Sequence, residues 1–196
     1  MKRLLRAICI ICAICSFVPA IEAQKSVVVP TIAADPKDVG SIDAVMKAFY
    51  QVISGPAGQP RQWGRDRTLY IPEMRFVSMD VDSTGKPVAS VMSHQQFLDR
   101  SDAGLVKSGF YEQEIHRVTR SFGNVTHVFS TYVMRHTPDG KIFGRGVNSV
   151  QLFFDGNRWW IASATWDDER KGNPIPKDLL PLHLKPANQV RPRRSS

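Results

Sequence analysis

The sequence has little cysteine, and none of it lies where a folded domain is predicted. Three of the 196 residues are cysteine, and Cys9, Cys12 and Cys15 all fall in the first 15 positions. Disulfide bonds, thiolate catalysis and cysteine-ligated zinc are therefore excluded for the rest of the chain. A domain without these cross-links must be held together by its hydrophobic core.

Long apolar runs are also scarce, which excludes a membrane protein with several spans. Only residues 7–18 form such a run, and a spanning helix needs about 20 apolar residues. The run follows a basic start and precedes small residues up to Ala23, so residues 1–23 are predicted to be a signal peptide cut near Ala23. We expect a secreted or periplasmic protein that has no membrane contact after cleavage. An uncleaved N-terminal anchor is the alternative.

Acidic residues are fewer than basic ones, 18 against 26, which gives a net charge of +8. Loss of residues 1–23 removes three basic residues and one acidic residue, and leaves +6. Much of this excess lies in residues 170–196, a tail with five prolines and Asp178 as its one acid. The prolines predict an extended tail, with residues 179–182 lying against the domain. The tail lacks interleaved aromatic residues, so no nucleic-acid partner is predicted.

Local signals predict the elements between the leader, residues 24–40, and Gly109. Ser41 begins an amphipathic helix that Gly55-Pro56 ends, and Ser93 begins another. A short helix is expected within residues 59–69. Two strands are expected at residues 74–81 and 88–92.

Four longer strands are predicted after Gly109, at residues 110–122, 125–137, 142–154 and 159–168. They are separated by Gly123-Asn124, Asp139-Gly140 and Asp155-Gly156, dipeptides typical of two-residue hairpin turns. Three such turns make a four-stranded antiparallel meander. The predicted fold class is α+β, with N-terminal helices and a curved mixed or antiparallel sheet.

This element order, together with the segment GRGVNSVQLFFDGNRWWI from Gly144 to Ile161, resembles the nuclear transport factor 2-like superfamily. The superfamily includes SnoaL-like and ketosteroid-isomerase-like proteins, and the chain looks closest to uncharacterised exported members. The resemblance covers about residues 38–170, with the domain at 41–169. It implies a cone, in which the sheet wraps round the helices, with a pocket at its open end. A homodimer through the outer sheet face is also implied.

Two-residue turns fix strand register, and they predict a polar row across the concave face. In this register the facing residues are His116, Thr131, Asn148 and Ser163. Trp159 and several apolar residues share the predicted face. Polar groups on such a face need partners or a ligand, so all five residues and Glu114 are candidate ligand contacts.

Glu114 and His116 lie two residues apart, about 7 Å along one strand. A carboxyl and an imidazole in a partly apolar cleft can donate and accept protons, which makes them the catalytic candidates. Hydrogen bonding within the protein is the alternative role for both residues. Glu112 is predicted to form only a cross-strand ion pair with Arg135.

The opposite face is predicted to be the dimer interface. Its candidates are Tyr132, Met134, Gln151 and Trp160, because alternating aromatic and polar residues suit an interface. Coverage of part of this face by the tail or the leader is the alternative.

No metal or cofactor is predicted. His94, His127, His136 and His183 lack ligand spacing with carboxylates, and no phosphate-binding glycine loop is present. We expect a binding protein for a small, mostly apolar ligand. The alternatives are an accessory domain acting through the outer face, and a cofactor-free isomerase or lyase using Glu114 and His116.

Overall fold

The computed structural model describes residues 26–182, so the predicted signal peptide, with Cys9, Cys12 and Cys15, and the tail beyond Leu182 lie outside the described residues. The helices are α1 (Pro36–Val39), α2 (Ile42–Ile53), α3 (Trp63–Arg67) and α4 (His94–Ser108). The strands are β1 (Tyr70–Val81), β2 (Pro87–Ser93), β3 (Tyr111–Phe122), β4 (Val125–Arg135), β5 (Gly144–Phe154) and β6 (Trp159–Asp168). In this part of the chain no helix is both long and apolar enough to cross a bilayer.

The six strands form one curved, unclosed sheet in the order β2-β1-β6-β5-β4-β3. All neighbours are antiparallel except β1 and β6, which run parallel. The sheet is therefore mixed, and β3 to β6 form the meander that the sequence predicts. The α+β fold class is confirmed.

Helix α2 fills the concave side of the sheet. Its apolar residues recur every three or four positions, and the resulting face, including Val45, Met46 and Phe49, is buried against the strands. Each such side chain contributes about 1.5–3 kcal/mol when it is fully buried. The side chain of Ser41 accepts a hydrogen bond from the backbone N–H of Ala44, so the predicted N-cap is confirmed.

Helix α4 begins with a capping box, in which Ser93 and Gln96 each accept a hydrogen bond from the other's backbone N–H. The predicted cap is thus confirmed, and so is the short helix α3.

The predicted leader is more structured than its polar composition indicates, because it holds α1. Asp38 in α1 accepts two hydrogen bonds from the guanidinium of Arg65 in α3, at 2.6 and 2.7 Å. This hydrogen bonding lowers the pKa of Asp38. The leader is therefore tied to the domain by an ion pair.

The first hairpin has the predicted register, since Gly123 and Asn124 form a two-residue turn and His116 lies opposite Thr131. The second register is wrong by one residue: Thr131 lies opposite Val147, not Asn148. The cause is a connection of residues 136–143 in place of a two-residue turn. Pro138 lies in this connection, and proline lacks the N–H that a strand ladder needs.

The third register is wrong as well. The turn takes in residues 155–158, because the Asp155 N–H donates to the carbonyl of Arg158. A bulge between Gln151 and Leu152 shifts the pairing further, so that Asn148 lies opposite Trp166 and Ser163 lies opposite Gln151. The predicted polar row across four strands does not exist.

A second bulge, at Ile115 in β3, separates the two catalytic candidates. Glu114 lies opposite Tyr132, whereas His116 lies opposite Thr131. Neighbouring strand residues such as Thr131 and Tyr132 point to opposite faces. Glu114 therefore lies on the inner face and His116 on the outer face.

The first part of the tail lies against the domain, as predicted, and it lies on the outer face of the sheet, which was the alternative to a dimer interface there. A short 3₁₀ helix, Lys177–Leu179, contacts β3 and β4. The Thr131 hydroxyl donates to the Leu179 carbonyl at 2.6 Å, and the His116 ring donates to the Asp178 carbonyl at 3.2 Å. We call residues 174–181 the strap.

The bond from Thr131 gives a test of the strap. Thr131→Val keeps the shape but removes the donor to Leu179, a loss of about 1 kcal/mol. We expect faster amide hydrogen exchange in residues 177–180, measured by mass spectrometry, with little change in the core strands. Thr119→Val, on an exposed part of β3, is the control. Equal exchange in the two variants would contradict the assignment.

Candidate functional site

A cavity of about 190 Å³ lies between α2, α4 and the concave face of the sheet, and we call it the inner cavity. Its wall is mainly apolar and aromatic. The apolar part includes Phe49, Ile53, Phe76, Phe97, Leu105, Phe110, Met134 and Trp166. The polar groups on the wall are Tyr70, Ser101, Glu112, Tyr132, Asn148 and Asp168.

Glu112 is the acid at the inner end of this cavity. Protein atoms surround its carboxyl group, although the side chain keeps a partial exposure where it borders the cavity. It lies opposite Met134, while Arg135 lies opposite Tyr111 and donates to Gln113. The predicted ion pair with Arg135 is therefore wrong, because the bulge at Ile115 shifts the register by one residue.

The buried position changes the protonation of Glu112. Burial raises its pKa to about 8, the negative charge of Asp168 adds to the rise, and a hydrogen bond from Asn148 opposes it. At neutral pH the group is thus mainly a neutral carboxylic acid, which can donate a hydrogen bond. A perturbed acid in a pocket is a typical feature of a functional site.

A directed chain of hydrogen bonds holds Asn148. Its Nδ2 donates to the Tyr50 hydroxyl at 3.1 Å and to Glu112 Oε1 at 3.4 Å. Ser130 donates to the Glu114 carboxylate, so its oxygen accepts from the Tyr50 hydroxyl at 2.6 Å. Burial raises the pKa of Tyr50, which keeps it protonated as this chain requires.

Glu114 forms the outer end of the chain. Arg117 Nε donates to both of its carboxylate oxygens, at 2.9 and 3.0 Å, and Arg117 also pairs with Asp43 on α2. The ion pair fixes Glu114, and through it Ser130, Tyr50 and Asn148. The chain runs from the surface to the inner cavity.

Tyr132 crosses β5 to reach the mouth of the cavity, where its hydroxyl donates to the exposed carboxylate of Asp168. Gly146 leaves the space for this ring, because a Cβ at that position would lie 2.2 Å from the Tyr132 hydroxyl. Burial raises the pKa of Tyr132, so the hydroxyl stays a donor.

Four side-chain polar atoms of the cavity wall make no hydrogen bond within residues 26–182: Glu112 Oε2, Asn148 Oδ1, Ser101 Oγ and Asp168 Oδ2. Glu112 and Asn148 are hydrogen-bonded to each other through their other polar atoms. The protonated Glu112 is a donor and the amide oxygen of Asn148 is an acceptor. Together they can bind a ligand group that both accepts and donates, such as a hydroxyl.

The structure divides the predicted ligand contacts. Asn148 lies on the cavity wall, and Glu114 supports it from behind. His116 and Thr131 lie under the strap on the outer face, and Ser163 lies opposite Gln151. Trp159 packs against the core next to Phe154. A functional role for any of these residues stays a prediction.

The predicted interface residues divide in the same way. Tyr132 and Met134 line the inner cavity, so they lie on the face opposite to the one predicted. Gln151 is exposed, and Trp160 lies opposite Phe153, on the outer side. The predicted pairing of β4 with β5 is wrong by one residue, and such a shift assigns every β4 side chain to the opposite face.

Sequence reasoning did not find Glu112, Tyr50 or Asp168. Tyr50 is one of the apolar positions in the predicted helix that begins at Ser41, and Asp168 is the last residue of the predicted strand 159–168. Neither position indicates a functional role. Pro138 directly precedes the predicted two-residue turn at Asp139-Gly140. It is the one signal in the sequence that the predicted pairing of β4 with β5 is wrong. Within residues 26–182, no three histidine, cysteine or acidic side chains converge as a metal site would need.

No family model and no curated protein matches the chain. Several solved structures are similar to it. An NTF-2 like protein of unknown function from Silicibacter pomeroyi is 10% identical over 66% of this chain and 94% of that chain, with a TM-score of 0.43. A putative ketosteroid isomerase from Parabacteroides distasonis is 11% identical over 70% and 95%, with a TM-score of 0.43.

A protein of unknown function with a cystatin-like fold from Nostoc punctiforme is 7% identical over 64% of this chain and 88% of that chain, with a TM-score of 0.46. The observed element order and curved sheet confirm the predicted fold. At these identities and TM-scores, the matches assign no activity or ligand.

The pKa of Glu112 predicts a pH-dependent stability. The ordinary value is 4.5 and the folded value is about 8, so the folded state binds the proton more tightly. Its contribution to stability is fully present below pH 4.5 and is lost as the pH rises through 8. Between pH 6 and 8 we expect the free energy of unfolding to fall by up to about 2–3 kcal/mol more in the wild type than in Glu112→Gln.

Urea denaturation followed by circular dichroism measures this difference. Glu73→Gln, at an exposed position of β1, should keep the pH dependence of the wild type. If the free energies of unfolding of Glu112→Gln and of the wild type changed in parallel with pH, a raised pKa of Glu112 would be disproved.

Gly146→Ala tests the path of Tyr132. The new methyl group would displace the ring and break its bond to Asp168, so we expect a loss of about 1–3 kcal/mol in urea denaturation. Gly104→Ala in α4 is the control, because no atom lies within 4 Å of the added Cβ. It should stabilise the helix by up to about 1 kcal/mol. Equal effects of the two substitutions would contradict the close contact at Gly146.

Proposed function

We propose that the protein binds a small, mostly apolar molecule in the inner cavity, with one polar oxygen group of the ligand between Glu112 and Asn148. The observation that carries the proposal is the pair of wall atoms, Glu112 Oε2 and Asn148 Oδ1, that make no hydrogen bond within the described residues. Apolar pockets with a few convergent polar groups are the usual form of small-molecule sites.

The size of the cavity supports a small ligand. An apolar cavity of about 150 Å³ accommodates benzene, and the inner cavity measures about 190 Å³. The aromatic wall, with Phe76, Phe97 and Trp166 in mutual contact, suits a flat ring. The proposed ligand class is therefore a monocyclic compound with one hydroxyl.

The hypothesis of an isomerase or lyase that uses Glu114 and His116 finds less support. The two side chains lie on opposite faces of the sheet, Glu114 with Arg117 and His116 with the strap. They share no cleft in which one proton could pass between them and a substrate. Binding is the function that this geometry favours.

Two further parts of the proposal come from the sequence. Export is supported by the pattern of residues 1–23, and a homodimer by the resemblance of the domain to the superfamily. Gln151 and Trp160 are the interface candidates that lie on the outer side.

Phenol and toluene provide the test, because they share a ring and differ in the hydroxyl. We expect wild-type protein at pH 6.5 to bind phenol at least tenfold more tightly than toluene, a difference of about 1.4 kcal/mol. Asn148→Leu should remove this preference, since it removes the acceptor while keeping a similar volume. Titrations followed by nuclear magnetic resonance measure the affinities and locate the perturbed residues.

Arg120→Gln, at an exposed position of β3, is the control and should bind both compounds as the wild type does. Leu105→Trp, which fills the cavity, should abolish both. Thermal unfolding checks that each variant is folded. Equal affinity for phenol and toluene in the wild type, or perturbations away from Glu112 and Tyr132, would disprove the proposed site.

A further inference from the structure

A second and larger cavity of about 530 Å³ lies on another side of the molecule. It is bounded by the leader, by the segment from α3 into β1, by the start of α4 and by the start of β6. We call it the arginine cleft, because Arg67 and Arg158 both line it. It shares only Tyr70 with the wall of the inner cavity.

Arg158 is fixed in the cleft by neutral groups. Its Nη2 donates to the Thr68 carbonyl, its Nε donates to the Trp159 carbonyl at 3.3 Å, and its guanidinium lies 3.6 Å from the ring centre of Trp160. Its Nη1 makes no hydrogen bond within residues 26–182. The side chain is thus held in one orientation with a free donor.

Arg67 is held in the same manner. Its Nη2 donates to Gln95 Oε1 at 2.8 Å, and Gln95 is itself fixed by bonds to the Val27 carbonyl and to Asp99. Neither Arg67 nor Arg158 forms an ion pair with a described residue. By contrast, Arg65 and Arg117 each bind a carboxylate.

Besides Asp99, two carboxylates contact residues of the cleft wall, and both bind donors other than the guanidinium groups of Arg67 and Arg158. Asp155 accepts from the Trp160 indole at 2.7 Å and from two backbone N–H groups. Asp66 is fully buried and accepts from Tyr70 and His94. Among residues 26–182, no acidic side chain lines the cleft. Two guanidinium groups therefore line this cleft, and no described carboxylate lies on its wall. Burial lowers the pKa of Arg158, and the negative charge of Asp155 partly offsets this change.

The rest of the wall has an apolar part and uncharged or histidine polar groups, among them Thr31, Thr68, Tyr70 and His94. Pro30 and Ile32 of the leader face Ile71 and Pro72 of β1, and Trp160 lies beside them. The N-terminus of α4, at Ser93 to Gln95, also borders the cleft and adds a positive partial charge. A ligand of this cleft needs an anionic group for the arginines and an apolar body for the wall.

We propose that the arginine cleft binds small organic anions, in which a carboxylate or a phosphate monoester contacts Arg158 and Arg67 and an apolar group lies against Ile32 and Trp160. The planar guanidinium fork matches the oxygen geometry of both anions. This site is separate from the inner cavity, and the proposal does not depend on the function of that cavity.

Phenyl phosphate, benzoate and benzyl alcohol are the probes, because they share a ring and differ in charge. We expect the two anions to bind and to shift the Nε–H resonances of Arg158 and Arg67, with no such shift for the alcohol. Arg158→Gln and Arg67→Gln should each weaken anion binding at least tenfold in calorimetry. Arg158→Lys keeps the charge but loses the fork, so an intermediate affinity is expected.

Arg120→Gln, which removes an arginine that does not line the cleft, should bind the anions as the wild type does. Asn148→Leu should also leave anion binding unchanged, which separates this test from that of the inner cavity. Circular dichroism checks that the variants are folded. Equal binding of the alcohol, unchanged affinity in Arg158→Gln, or inorganic phosphate binding as tightly as phenyl phosphate would overturn the proposal.

Discussion

The β-bulge at Ile115 determines which side chains of β3 face the helices. On one side of it Glu112 and Glu114 point into the concave face, and on the other side His116 points to the strap. A strand without the bulge would exchange the faces on one side of that point. The acid in the inner cavity, the hydrogen-bond chain behind it and the contact with the tail all depend on this one extra residue.

The helices and strands could be predicted from local signals, because caps and turns act over a few residues. Ser41, Ser93 and the Gly123-Asn124 turn are examples. Register is different, since it accumulates errors from every turn and bulge that precedes a residue. Asn148 was assigned to the correct face although both of its predicted partners were wrong. Glu112 could not be found, because nothing in the sequence around Ile115 signals a bulge.

In the inner cavity, the buried carboxyl group of Glu112 opposes the stability of the fold, and the arrangement around it compensates for this. A carboxyl buried at Glu112 is unfavourable in its charged form, and the fold accepts it as a neutral acid. Its neighbours are arranged in fixed orientations by Arg117, through Glu114, Ser130 and Tyr50. A partly buried ion pair at the edge of the core thereby orients an amide deep in the domain.

The strap is bound through its main chain. Thr131 and His116 both donate to carbonyl oxygens, those of Leu179 and Asp178, and not to side chains. Every amino acid supplies the same carbonyl group. A change of side chain at 178 or 179 therefore leaves both acceptors in place, whereas a change to an apolar side chain at 116 or 131 removes a donor.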